Sequence, residues 1–254
     1  LLSRRQRQMC IRDRHLTVCF STQAGCAMGC TFCATGHEGL TRNLSSAEMI
    51  CQIIAVQNDF SCRVTNLVSM GQGEPFQNYQ ATLEALRFTN AKDGLEIGAR
   101  HITVSTCGII RGIERLANEP EQFTLAVSLH SALQDVRNEI MPRCSNIPLP
   151  HLKKALRSYI EKTGRRVSFE YLLIKGVTDT EENLAALIDF CDGLLCHVNL
   201  LSVNEVEGSP YKPSSTATQQ RWVKELKSAG KEATIRNSRG SDIDGACGQL
   251  KNKM

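Results

Sequence analysis

The stretch H-L-T-V-C-F-S-T-Q-A-G-C-A-M-G-C-T-F-C, His15 to Cys33, decides how the rest of the chain is read. Its first six residues, His15 to Phe20, have the composition and alternation of a strand. Directly after it, Cys26, Cys30 and Cys33 fall in Cys-x3-Cys-x2-Cys spacing. Three thiolates in one compact loop can hold three irons of a cubane cluster and leave the fourth iron open, whereas four cysteines would close every iron. Gly25, Gly29 and Gly36 let such a loop fold tightly, and Phe32 is placed to shield a cluster from water. The alternative is a zinc knot, with His37 as a fourth ligand beside the three cysteines. No other paired cysteines support a zinc domain, and the loop follows the first strand of an α/β pattern, so the cluster is the favoured reading.

Outward from this stretch, strands are expected at 65–70, 101–105, 123–128, 167–173, 197–201 and 233–236. Helical patterns fall between them at 46–57, 79–90, 149–162, 181–191 and 216–229. Such alternation builds a largely parallel sheet from right-handed βα units, here a partial (βα)6 barrel. Strands end in or near Gly73-Glu74, Ser105, Ser128 with His130, Asn199 and Asn204, and the carboxyl ends of such strands are where α/β proteins put their sites.

The chain has 254 residues, 41% hydrophobic and 22% charged, an ordinary composition for one globular domain. No apolar run approaches the length needed to cross a bilayer, and the N-terminus carries no secretory signal, so a cytoplasmic protein without membrane contact is expected. A net charge of +4 permits a polyanionic partner without demanding one. The twelve cysteines are too many for chance and, inside a cell, are read as thiols, ligands or catalysts rather than a disulfide framework. Cys51, Cys62, Cys144, Cys191 and Cys196 read as packing residues, Cys51 and Cys191 because they lie in apolar helical patterns. Cys107, in V-S-T-C-G at a strand end, also reads as packing. Residues 1–14 carry five arginines and no cap or turn logic, and read as an atypical leader that stands apart from a core over 15–254.

Taken together, C-F-S-T-Q-A-G-C (Cys19 to Cys26), M-G-Q-G-E-P (Met70 to Pro75), V-S-L-H (Val127 to His130) and R-G-S-D-I-D-G-A-C-G-Q-L (Arg239 to Leu250) carry a resemblance. With the three-cysteine loop they resemble the radical S-adenosylmethionine superfamily and, within it, the bacterial dual-specificity RNA methyltransferases. The likeness spans Leu16 to Leu250. It implies a [4Fe-4S] cluster on Cys26, Cys30 and Cys33, two S-adenosylmethionine molecules per turnover, and methylation of carbon 2 of an adenine in 23S ribosomal RNA and in some tRNA. Carbon 2 is electron-poor and does not attack a sulfonium methyl directly, which is why a radical route serves. The resemblance makes Cys247 the cysteine that is methylated and then bonded to the adenine, and Cys19 the thiol that attacks the sulfur to release the product. Gly73, Glu74, Ser105, Ser128, Leu129, His130 and Asn204 are implied as cofactor contacts. A reductant such as flavodoxin or ferredoxin and a monomeric state are expected.

Two departures accompany the likeness. Relatives carry an N-terminal RNA-binding region and, within it, a glutamate assigned as proton acceptor; here the arginine-rich leader, around Gln6, stands in its place. The motifs also leave open a sister activity, methylation of carbon 8 of a ribosomal adenine. A non-enzymatic metal-binding RNA-binding protein is a third reading, which leaves the G-E-P, S-L-H and C-G-Q-L segments without a purpose.

Overall fold

A computed structural model describes residues 8–12, 15–204, 206, 208–236 and 246–250. Its main sheet has eight strands in the order β1 (Gln8–Arg12), β2 (His15–Cys19), β5 (Asn66–Val68), β6 (Ile102–Thr106), β7 (Thr124–Ser128), β8 (Val167–Leu173), β9 (Cys196–Ser202) and β10 (Glu232–Arg236). From β2 to β10 every pairing is parallel. The sheet curls into a half-barrel, the partial barrel expected from the strand-helix alternation.

Period-2 alternation gives the curled sheet two different faces. Leu16, Val18, Leu67, Val104, Val127, Phe169 and Val198 point outward into one core shared with residues of the covering helices, among them Met49 and Ile53 of α2 (Ser46–Phe60), Leu86 of α3 (Tyr79–Asn90) and Trp222 of α8 (Thr216–Ser228). The residues between them are largely polar and line the concave face: Thr17, Cys19, Ser105, Ser128, Glu170, Asn199 and Arg236. The apolar face thus holds the fold, and the polar face is left for chemistry.

The helix starts are written locally. At α2, Ser45 caps Glu48 N–H while Glu48 reaches back to Ser45 N–H, a reciprocal capping box. Thr180 caps α7 (Glu181–Cys191) and Ser215 caps α8 in the same way on one side.

Two regions depart from expectation. Residues 8–12, read as part of the leader, form β1, an antiparallel strand along β2; β2 would otherwise present a row of unpaired backbone groups. Residues 1–7, with Gln6, and 13–14 lie outside the described residues. Cys51, expected to pack, is exposed, because the buried stripe of α2 runs through Met49, Gln52, Ile53 and Val56. Cys191 is buried as expected, and so are Cys107, Cys144 and Cys196, whereas Cys62 is exposed.

Candidate active site at the carboxyl ends of the strands

The three-cysteine loop leaves the short hairpin of β3 (Gln23–Gly25) and β4 (Leu40–Asn43) and runs into α1 (Ala34–Glu38). Gly25 has φ +78, and a Cβ there would lie 2.0 Å from the Gly39 carbonyl oxygen, so only glycine fits. At Gly36 a Cβ would lie 2.8 Å from both N and O of Cys30. Backbone bonds close the loop: Cys26 N–H to Gly39 O at 2.8 Å and Cys33 N–H to Cys30 O at 3.1 Å.

Cys26, Cys30 and Cys33 are all half-buried. Burial pushes the Cys26 thiol up to about 11, with Cys33 and Glu74 adding to the shift against a backbone hydrogen bond from Met28. Cys30 is pushed up by burial and by Cys33, Cys144 and Cys26 around it. Clustered thiols of this kind hold their protons until a cation displaces them. His37 is turned onto the Thr31 carbonyl, 3.0 Å away. Among the described residues no three His, Cys, Asp or Glu side chains gather as one metal ion requires. A cubane instead spreads its thiolates over separate irons, and the donor set fits three of them with one iron left open.

Around this loop stand the residues of the neighbouring strand ends. Gly73 has φ +101, and a Cβ there would strike Gln23 at 2.6 Å. Glu74 is buried; its Oε2 accepts from Cys107 N–H at 2.7 Å and its Oε1 from Phe76 N–H at 3.0 Å. Burial raises its pKa, and those bonds oppose the rise. Ser105 and Ser128 lie on the concave face, with Ser105 N–H on Ser69 Oγ at 3.0 Å. Leu129 is fully buried, a core position. His130 has φ +57, meets Phe32 edge-on at 4.9 Å, and leaves Nδ1 buried without a protein partner. Burial and the nearby Arg137 guanidinium hold its imidazole neutral, with a pKa near 3. An orphaned buried nitrogen beside the cysteine loop is a place for a ligand.

The C-terminal C-G-Q-L segment docks onto the same loop. Ala34 N–H donates to Gly248 O at 2.7 Å, and Thr35 Oγ1 donates to Leu250 O at 2.7 Å. Asn204 Nδ2 donates to Cys247 O at 2.9 Å. Cys247 is an exposed residue, but desolvation of its sulfur pushes the thiol up to about 11, with Cys33 and Glu170 adding to the rise and Arg236 opposing it. Cys19, at the end of β2, is buried on the concave face. Residues 239–245, the first part of the R-G-S-D-I-D-G motif, lie outside the described residues.

Sequence reading passed over Glu170 and Arg236. Glu170 Oε1 accepts from Asn199 Nδ2 at 2.9 Å, and its Oε2 from Arg236 Nη1 at 3.3 Å. The polar alternation Ser168, Glu170 within β8 was the available signal. Arg137 is buried too, donating through Nε to Leu129 O at 3.2 Å and through Nη2 to Cys107 O at 2.5 Å.

Residues 20–188 match the Radical SAM superfamily. A probable dual-specificity RNA methyltransferase RlmN of Alkaliphilus oremlandii (strain OhILAs) is 48% identical over 238 residues, 94% of this chain and 69% of the relative. The protein of the same name from Clostridioides difficile (strain 630) is 47% identical over 241 residues, 95% of this chain and 70% of the relative. A crystal structure of a radical SAM methyltransferase from Sphaerobacter thermophilus superposes with TM-score 0.93 at 46% identity, covering 96% of this chain and 73% of that one. The chain therefore belongs to the radical SAM superfamily and, within it, to the dual-specificity RNA methyltransferases.

Proposed function

We propose that this radical RNA methyltransferase acts on carbon 2 of an adenine in 23S ribosomal RNA and in tRNA, through a methyl group first placed on Cys247. The observation that carries the reading is the docking of the Cys247 segment on the cysteine loop, through Ala34 N–H to Gly248 O at 2.7 Å and Asn204 to Cys247 O at 2.9 Å. It keeps Cys247, an exposed residue, beside the cysteine loop, which supports its reading as the cysteine that meets the base.

When bound, the cluster on Cys26, Cys30 and Cys33 and S-adenosylmethionine supply a methyl group and a carbon-centred radical. Glu74 would receive the ammonium of the cofactor through its remaining acceptor capacity, Gly73 would allow its close approach, and Ser105, Ser128, Leu129, His130 and Asn204 would border it. Cys247 offers the nucleophilic sulfur, and Arg236 beside it favours the thiolate needed for methyl transfer. The base would then be joined to Cys247 sulfur through one methylene, the odd electron of the adduct going back to the cluster that supplied it. Release would require loss of the adenine carbon-2 proton and attack of the Cys19 thiolate on that sulfur: the S–S bond forms as the S–CH2 bond breaks, the methylene carbon leaves with the electron pair and takes up a proton to become the methyl group, and Cys19 and Cys247 remain as a disulfide. A small electron-transfer protein of the flavodoxin or ferredoxin kind reduces the cluster, and the enzyme acts as a monomer.

The experiment is mass spectrometry of RNA from cells lacking their own enzyme and expressing the intact gene. Methyl on carbon 2 of adenine in 23S RNA and tRNA is expected; methyl on carbon 8 would overturn the reading.

A further inference from the structure

Beneath the cysteine loop lies a second pair of sulfurs that the reaction does not use. Cys107 follows β6, and Cys144 ends the 3-10 turn Pro142–Cys144; they are 6% and 0% exposed. Both pack with Met28, Ile140 and Met141, against the half-buried Cys26 and Cys30. Cys144 Sγ lies 3.8 Å from the Cys107 carbonyl oxygen, which sets the two side chains side by side in one small buried cluster.

Their backbones are pinned. Arg137 Nη2 donates to Cys107 O at 2.5 Å, and Cys144 N–H donates to Met141 O at 2.9 Å. The Arg137 guanidinium is buried in the same place with Nη1 unpartnered. Two small packing residues would account for the burial. Packing alone needs no second thiol beside the first, yet both share one small buried cluster next to the Arg137 guanidinium. With both side chains in that cluster and Cys144 Sγ 3.8 Å from the Cys107 carbonyl oxygen, side-chain rotation can bring the two sulfurs to bonding distance.

We propose that Cys107 and Cys144 form a redox-active dithiol that closes to a disulfide and thereby loosens the cofactor site. A small two-electron oxidant, a peroxide or a diazene, takes two electrons from the pair. One S–S bond replaces two S–H bonds, and both protons leave with the reduced oxidant, as water from hydrogen peroxide or as a hydrazine from a diazene. Cys107 is the coupling element, because its N–H is the 2.7 Å donor to Glu74 Oε2. Drawing Cys107 toward Cys144 turns that peptide and lengthens the bond. The coupling rests on Glu74 as a cofactor contact; the disulfide does not.

The test treats the cluster-loaded protein anaerobically with the diazene diamide, alkylates the remaining thiols and maps peptides without reductant. The Cys107 and Cys144 peptides should appear joined and be freed by dithiothreitol. Affinity for S-adenosylmethionine should fall about tenfold on oxidation, the effect of losing a hydrogen bond to a charged group, and return on reduction. Cys144→Ser should give neither the joined peptide nor the loss of affinity; the mapping itself needs no variant and stands if that variant does not fold. Both cysteines still alkylated, a Cys30–Cys144 link instead, or a joined pair with unchanged affinity would each overturn the proposal. Glu74→Gln in the reduced protein tests the Glu74 reading separately.

Discussion

Asn204 Nδ2 donates to the carbonyl oxygen of Cys247 at 2.9 Å, which ties the chain beyond β9 to the cysteine that stands at the barrel mouth. The bond holds a backbone atom, so it fixes where the Cys247 side chain starts without touching its sulfur. Asn204→Ala should therefore keep full iron and sulfide content while the methyl group appears on Cys247 roughly fivefold more slowly, the effect of about 1 kcal/mol. Intact-mass time courses on the cluster-loaded protein read this directly. An unchanged rate would mean that the α1 contacts alone seat the segment.

Glu74 spends both carboxylate oxygens on backbone N–H groups, Phe76 and Cys107, while burial raises its pKa. Glutamine keeps the shape but replaces one acceptor with a donor that faces an N–H. Glu74→Gln should weaken S-adenosylmethionine binding by about tenfold or more, with the cluster retained. Equilibrium binding to reconstituted protein measures it, and unaltered affinity would remove Glu74 from the cofactor contacts.

Gly25→Ala meets the Gly39 carbonyl at 2.0 Å and a φ of +78 at once. Neither can relax without opening the β3–β4 hairpin from which the cysteine loop leaves. A loss of roughly 2 kcal/mol or more in stability and of most bound iron is expected. Denaturant melts and iron analysis of the variant would show it; normal iron content would contradict the role given to that turn.

Glu170 supplies a pH dependence whose sign follows from burial. Its pKa is raised above the ordinary carboxylate value, so the folded state holds that proton more readily than the unfolded chain. The cost of burying the anion therefore appears as pH rises above the ordinary carboxylate range and vanishes as pH falls below it. Arg236 and Asn199 offset part of that cost. Arg236 is 44% exposed, so Arg236→Ala should lose only about 1–2 kcal/mol at pH 8 and less at pH 5. Adding Glu170→Gln should abolish the difference between the two pH values in denaturant melts.

The parallel strands were legible because each alternates a helix-facing apolar residue with a concave-facing one; β8 falls at Val167–Leu173 and α3 and α7 at Tyr79–Asn90 and Glu181–Cys191, as read from pattern alone. The β3–β4 hairpin was not legible, since Leu40–Asn43 is exposed throughout and has no apolar alternation. The cysteine loop declares itself by spacing. Glu170 and Arg236 do not, because a polar residue at every second strand position reads the same whether it faces water or the inside of a curled sheet; only the curl separates the two. Cys144 was hidden for a related reason: it meets Cys107 across 37 positions of sequence, and neither segment announces the other.

The most direct test of the account is the fate of RNA on two single variants, isolated from cells with a working cluster. Cys19→Ala removes the thiol proposed to free the product, so methylation and addition should proceed and leave RNA covalently held through Cys247, seen as a heavier, nuclease-sensitive protein band. Cys247→Ala and the double variant should show no such band and no activity. A Cys19→Ala protein that turns over normally, or a band that persists without Cys247, would contradict the methyl-cysteine route.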